Sequence, residues 1–314
     1  MQPRSHPSPP RARHPRDVPT GPLVAVVGTR YREYEIEERA LVPLGARLRV
    51  CTDPEQALDA TLVLAGSTPR YSADVLERMP RCRAIVRYGV GLDRIDLEAA
   101  ARLGIAVHNV PDFCTEEVSG HAVAMILAFS RRLLDGARAL AAGGWGLERL
   151  RPVKAAEDEV VAVIGAGRIG GRTAEKLRAL GYRVVVHDAL LAPHPSLEEA
   201  LHGADYVTLH VPLTSATYHL LDRRRLSLLA PGAVVVNTSR GGLVDEAALV
   251  AALDSGRLRG AALDVFETEP LPSGSPLTSR PDVLLTPHVA WYSERAERTV
   301  REKAVARAVE VLGR

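Results

Sequence analysis

The stretch Val160-Val-Ala-Val-Ile-Gly165-Ala-Gly167-Arg168-Ile169-Gly170 decides how the chain is read. An unbroken apolar run of strand-forming residues enters a G-x-G-x-x-G, and helical sequence follows as far as Leu180. Strand before and helix after is the setting in which this glycine spacing signifies dinucleotide binding. Gly165 permits a tight turn, Gly167 lets the backbone approach a pyrophosphate, and Gly170 allows close packing of helix on strand. Amides at the helix N-terminus then face the phosphate charge. Asp188 closes the next expected strand, Tyr182–Asp188, where a carboxylate can accept hydrogen bonds from the adenosine ribose. Ala189 and Leu190 bring no cation for a 2′-phosphate, so NAD is expected in preference to NADP. A mere turn cap is the alternative role for Asp188.

Outward from this motif, short β-branched runs alternate with helical patterns, the signature of a parallel sheet covered on both faces. A second series is expected at Val160–Gly165, Tyr182–Asp188, Asp205–Val211, Ala233–Ser239, Gly260–Val265 and Val283–Thr286, six strands that match a full dinucleotide-binding sheet. A first series precedes it: Leu23–Gly28, Arg47–Thr52, Thr61–Gly66, Ala84–Gly89 and Ile105–Val110. The fold class is therefore α/β, with two doubly wound parallel-sheet domains. Glu116 to Ala142 reads as one long helix closed by Gly143-Gly144, and Ser293 to Leu312 as a final amphipathic helix that returns to the first domain. The expected division is a disordered tail over 1–22, a substrate domain from 23–114 with 291–314, and an NAD domain over 115–290.

A chain of 314 residues with 46% hydrophobic and 25% charged residues can bury two cores. Its 40 basic and 38 acidic residues are interspersed, which leaves no footprint for nucleic acid or a membrane surface and points to a small-molecule partner. Cys51, Cys82 and Cys114 have neither disulfide-framework nor C-x-x-C spacing, and no two histidines form an H-x-x-x-H pair. A reducing, cytoplasmic setting without a metal is expected. Residues 1–22 carry seven prolines and four arginines and almost no aliphatic side chain, a composition that cannot offset its own ordering entropy.

Doubly wound sheets bind ligands at the carboxyl ends of their strands. In the second domain those ends deliver Arg240, the segment Glu269-Pro270, and Pro287-His288. Reduction of a 2-oxo acid needs a cation for the carboxylate, a proton donor for the developing alkoxide, and a group that keeps the donor charged. An arginine fork grips a carboxylate through two parallel bonds, a histidine can give and take the proton, and a neighbouring carboxylate favours the imidazolium. Sequence distance alone does not show that the three converge.

Taken together, Asn237-Thr-Ser-Arg240-Gly-Gly-Leu-Val-Asp-Glu246, Ala262-Leu-Asp-Val-Phe-Glu-Thr-Glu-Pro270 and Thr286-Pro-His288 resemble the signature of the D-isomer-specific 2-hydroxyacid dehydrogenases, and the similarity runs from about Leu23 to the C-terminus. The resemblance implies a flavodoxin-like substrate domain and a Rossmann NAD-binding domain with an active-site cleft between them, and hydride transfer between NAD(H) and a D-2-hydroxy acid/2-oxo acid pair. Arg240 would bind substrate, Glu269 would support the charged histidine, and His288 would act as acid and base. Arg168, Ile169, Thr238, Ser239 and Asp264 would contact NAD. It also implies that Arg87-Tyr-Gly-Val90-Gly91-Leu-Asp93 is the substrate loop, with Arg87, Val90 and Gly91 at the carboxylate, and that the long helix forms a homodimer contact. The segment Pro287-His-Val-Ala-Trp291-Tyr-Ser-Glu294 is similar to the C-terminal-binding protein corepressors. That branch implies a pocket role for Trp291 and, as an alternative function, an NAD(H)-sensing regulator; a core aromatic at a hinge is the plainer role. The intact triad favours catalysis, and Glu269 disfavours the formate-oxidising branch, which has glutamine there. Three departures stand out: the Asp188–Ser196 link is short, which places the adenine side of the pocket in question, the approach Ala155–Glu159 is acidic, and no regulatory domain is expected after residue 314.

Overall fold

Eleven runs of mostly apolar sequence form eleven strands in a computed structural model, which describes residues 21–313 apart from 30, 149 and 192. Apart from its last two residues, the tail expected over 1–22 lies outside the described residues. The described chain divides into two compact units, one of residues 21–109 with 301–313, the other of residues 110–300.

In the first unit, β1 (Leu23–Val27), β2 (Arg47–Cys51), β3 (Leu62–Ala65), β4 (Ala84–Arg87) and β5 (Ala106–His108) pair in the order β2-β1-β3-β4-β5, all parallel. This is the flavodoxin-like order. Every residue of β1 and β3 is buried, as expected of strands covered on both faces.

The second unit holds β6 (Val160–Ile164), β7 (Arg183–His187), β8 (Tyr206–Leu209), β9 (Ala233–Asn237), β10 (Leu258–Leu263) and β11 (Val283–Leu285), again all parallel. The order from one edge is β7-β6-β8-β9-β10-β11. The classic dinucleotide sheet has one more strand outside its second one. Here β7 is itself the edge, so the six expected strands are present but do not make the full set. After β7 the chain passes directly to helix Leu197–Leu201, opened by a complete capping box in which the Ser196 amide donates to Glu199 Oε2 at 2.7 Å and the Glu199 amide to Ser196 Oγ at 3.2 Å.

One face of this sheet packs Val161, Val163, Val234 and Val236 against Val123, Ile126 and Phe129 of helix Thr115–Ser130 and Ala174 and Leu177 of helix Arg168–Ala179. The other face buries Ala162, Ile164, Val207 and Val235 beneath Leu201, Leu226 and Leu249. The single helix expected over Glu116–Ala142 is two, Thr115–Ser130 and Leu133–Ala141. Arg132 breaks it in a left-handed conformation (φ 54°), held by an ion pair to Asp135 at 3.1 Å. The apolar spacing runs through the break, and no glycine or asparagine marks it.

Candidate active site

The glycine-rich turn is built as its spacing requires. Gly165 adopts φ +98°, and a Cβ there would lie 2.6 Å from the His210 carbonyl oxygen. A Cβ on Gly170 would stand 1.9 Å from the Gly165 carbonyl oxygen, so helix and turn touch backbone to backbone. At Gly167, the residue that caps helix Arg168–Ala179, a Cβ would meet nothing within 4 Å. The site is open where a pyrophosphate would approach and closed where the protein packs on itself. Asp188 reaches back to this turn: its Oδ2 accepts from the Ala166 amide at 2.7 Å, and its Oδ1 accepts from the amides of Leu190 (2.8 Å) and Leu191 (3.2 Å). Burial alone would raise its carboxyl, but these three amides hold it below the ordinary carboxylate value. A carboxylate has about four acceptor positions, so Asp188 caps its turn and still has capacity for a ribose hydroxyl.

At the end of β9, Asn237 shapes the turn that carries Thr238, Ser239 and Arg240. Its Oδ1 accepts from the Ser239 amide at 3.0 Å, and its Nδ2 donates to the Arg240 carbonyl at 2.8 Å. Ser239 Oγ donates to the Val211 carbonyl at 2.8 Å. Thr238 Oγ1 is buried with no hydrogen-bond partner among the described residues, the kind of orphan that a bound ligand satisfies. This orphan, the open ground at Gly167 and the residual capacity of Asp188 fit an NAD molecule.

His288 and Glu269 meet. His288 Nδ1 lies 2.8 Å from Glu269 Oε2, while Glu269 Oε1 accepts from the Phe266 amide at 3.1 Å. Burial disfavours the Glu269 carboxylate, but the bond to His288, the Phe266 amide and the field of Arg240 outweigh it and lower its pKa below the usual range. Glu269 and His288 thus meet from beyond the ends of two neighbouring strands, within the field of Arg240 at the end of a third. Asp264, only 1% exposed, has another visible task. Its Oδ1 accepts from Thr286 Oγ1 (2.6 Å) and the Val289 amide (2.9 Å), its Oδ2 from the Ala290 amide (2.9 Å), and its carbonyl from the His288 amide (2.8 Å). These bonds hold His288 in a left-handed conformation, φ 55°. Trp291 is partly buried, its ring 5.9 Å from that of Phe113, in a cluster with Cys114, Ala290 and Ile169 of the glycine-rich turn.

Sequence reasoning did not single out Asn237 or Thr286 as supports, nor His121, whose Nε2 lies 3.1 Å from Thr286 Oγ1. It also passed over His210, which follows β8 beside the turn. Burial pushes that imidazole down to about 4, so it is neutral near pH 7. Arg87, Val90 and Gly91 lie together at the end of β4 in the other unit, where Asn109 Nδ2 donates to the Val90 carbonyl at 2.7 Å. Among the described residues no helix is long and apolar enough to cross a membrane, and no group of three or more His, Cys, Asp or Glu is placed to hold a metal ion.

Residues 123–290 match the family model for the D-isomer specific 2-hydroxyacid dehydrogenase, NAD binding domain. The chain is 39% identical to a glyoxylate reductase from Aeropyrum pernix over 75% of this chain and 75% of that one. It is 35% identical to a D-3-phosphoglycerate dehydrogenase from Methanocaldococcus jannaschii over 78% of this chain, but spans only 48% of that longer relative. A D-lactate dehydrogenase from Aquifex aeolicus, solved with NAD and lactic acid, superimposes with a TM-score of 0.85 at 28% identity, covering 91% of this chain and 94% of that one. All three are named as enzymes, and the corepressor branch suggested by the Trp291 segment is not shown by them. On the match over 123–290 and the identity to these relatives, the chain belongs to the D-isomer specific 2-hydroxyacid dehydrogenases.

Proposed function

We propose that the chain interconverts a small D-2-hydroxy acid and its 2-oxo acid with NAD(H), and that the observation carrying this is the His288–Glu269 pair at 2.8 Å beside Arg240. When bound, NADH supplies the hydride. Arg240 takes the substrate carboxylate through its two parallel donors. With Nδ1 of His288 engaged by Glu269, Nε2 faces the substrate and passes a proton to the carbonyl oxygen as it becomes an alkoxide; in the reverse direction it removes that proton. Glu269, held ionised, orients the ring and stabilises the imidazolium. Gly165, Gly167, Arg168, Ile169, Gly170, Asp188, Thr238, Ser239 and Asp264 are assigned to the cofactor, and Arg87, Val90 and Gly91 of the first unit to the substrate carboxylate. Trp291 is assigned to the pocket wall, which favours a short or apolar side chain on the acid.

The unit of residues 110–300 is thereby the cofactor domain and that of 21–109 with 301–313 the substrate domain. Three buried, unpaired cysteines support a reducing, cytoplasmic compartment. A homodimer contact is proposed at helix Leu133–Ala141 and the turn after it. There Leu140 (60% exposed), Trp145 (94%) and Leu147 (61%) make a patch that a lone chain would leave wet.

NADH consumption with glyoxylate, pyruvate and longer 2-oxo acids tests the reading, with His288→Ala and Arg240→Ala alongside. We expect turnover by the natural chain, a kcat loss of about 10²–10⁴-fold in His288→Ala, and a raised KM in Arg240→Ala. NADH binding without turnover of any acid would overturn it.

A further inference from the structure

Beneath the turn assigned to the substrate carboxylate lies a buried charge pair that the chemistry above does not use. Glu37, on helix Glu35–Leu41, is fully buried, and Arg301, on the last helix, is 6% exposed. Arg301 donates through Nη2 (2.7 Å) and Nε (3.1 Å) to the two Glu37 oxygens, and Nη2 also reaches the Glu33 carbonyl at 2.7 Å. Tyr88 completes the set: its hydroxyl donates to Glu37 Oε1 at 2.9 Å. The Tyr31 ring lies under the Arg301 guanidinium, 4.4 Å from its centre, and meets Tyr88 edge-on at 5.4 Å. All five residues belong to the first unit.

A buried ion pair is a poor source of stability, since well-packed apolar residues commonly serve as well. Here both Glu37 oxygens and two Arg301 nitrogens are engaged at once, which fixes the arrangement of the set. Tyr88 is the residue on which this geometry converges, and it stands directly before Gly89-Val90-Gly91. That turn has two glycines and would by itself sample many conformations. Its other side is held too. Asn109 Nδ2 bonds the Val90 carbonyl at 2.7 Å, and in a planar trans peptide the next N–H points the opposite way. Fixing the Val90 oxygen therefore aims the Gly91 amide.

We propose that Tyr88, locked by Glu37 and Arg301, and Asn109 are positioning residues that together aim the backbone amides of Val90 and Gly91 at the substrate carboxylate. The proposal rests on the dehydrogenase reading above. Tyr88→Phe and Asn109→Ala each remove one hydrogen bond and touch no reacting atom. The test measures binding of oxamate, an unreactive 2-oxo acid mimic, to the NADH-loaded protein by calorimetry. It also follows KM and kcat for the best 2-oxo acid, NADH affinity by fluorescence, and melting temperature. Each variant is expected to raise KM and the oxamate Kd about ten-fold, a factor typical of one lost hydrogen bond. Turnover at saturation and NADH affinity should stay within about two-fold, inside that same factor. A lowered melting temperature with unchanged KM and oxamate Kd would make the network merely structural and overturn the proposal. If Tyr88→Phe does not fold, Asn109→Ala alone must show the split, and its absence overturns the proposal equally. Failure of oxamate to bind the natural chain overturns the dehydrogenase reading and the proposal together, whereas normal binding with silent variants overturns the proposal alone.

Discussion

Asp264 and His288 show how the side chain proposed as acid and base is held from behind. Three hydrogen bonds to the Asp264 carboxylate and one to its carbonyl fix the 286–290 segment, in which His288 meets Glu269. His210 makes the opposite case, a histidine kept from charging. Its pKa near 4 lies below the ordinary 6.5, so between those pH values the unfolded chain binds a proton that the native chain does not. Its contribution is intact above pH 6.5 and is lost as the pH falls towards 4. Urea unfolding is expected to show about 2 kcal/mol of lost stability from this group between pH 6.5 and 5. His210→Gln, which does not titrate, should lack that component. Parallel curves for the two proteins would contradict the assignment. Glu269 acts in the same direction at lower pH, since its lowered carboxyl favours the folded state above the usual carboxylate range and ceases to do so as the pH falls through its folded value.

At the scale of elements, the turn between β6 and its helix separates packing from binding within six residues. Gly170→Ala would push a Cβ into the Gly165 carbonyl, and neither partner is a flexible side chain. We expect it to cost about 1–3 kcal/mol in urea unfolding. Gly167→Ala meets open space, so its stability should stay within about 1 kcal/mol of the natural chain, while NADH affinity, read by fluorescence titration, falls more than about ten-fold because the methyl occupies ground meant for pyrophosphate. Equal loss of stability in both variants would refute this division. The turn, its strand and its helix were legible because glycine spacing and apolar runs are local signals. The break at Arg132 was not, because a left-handed arginine has no compositional mark. The open edge at β7 was visible only as a short link from Asp188 to Ser196; that β7 would end the sheet is a matter of strand order.

At the scale of the molecule, Leu140, Trp145 and Leu147 stand exposed together after helix Leu133–Ala141, the kind of apolar patch that the proposed dimer would cover. Light scattering coupled to size exclusion is expected to return twice the 33.8 kDa of one chain, and Trp145→Glu to shift the protein towards the monomer by placing a charge in a desolvated contact. A monomeric natural chain would remove the dimer from the proposal. The two units also differ in how their sites are made. The proposed cofactor cradle lies within one continuous stretch of chain, whereas the turn proposed for the substrate follows Tyr88, which is bonded to Glu37 and through it to Arg301, residues near opposite ends of the sequence.

By itself the sequence determined two parallel α/β sheets, the glycine-rich turn and the chemical types gathered at the strand ends, because alternation, β-branched runs and glycine spacing act over a few residues. The tertiary structure decided that Glu269 reaches His288, that Asp264 and Asn237 hold the segments after β9 and β11, and that a buried Glu37–Arg301–Tyr88 set lies beside the turn of residues 89–91. These are contacts between residues far apart in the chain, made only when strand order and packing bring the carboxyl ends together.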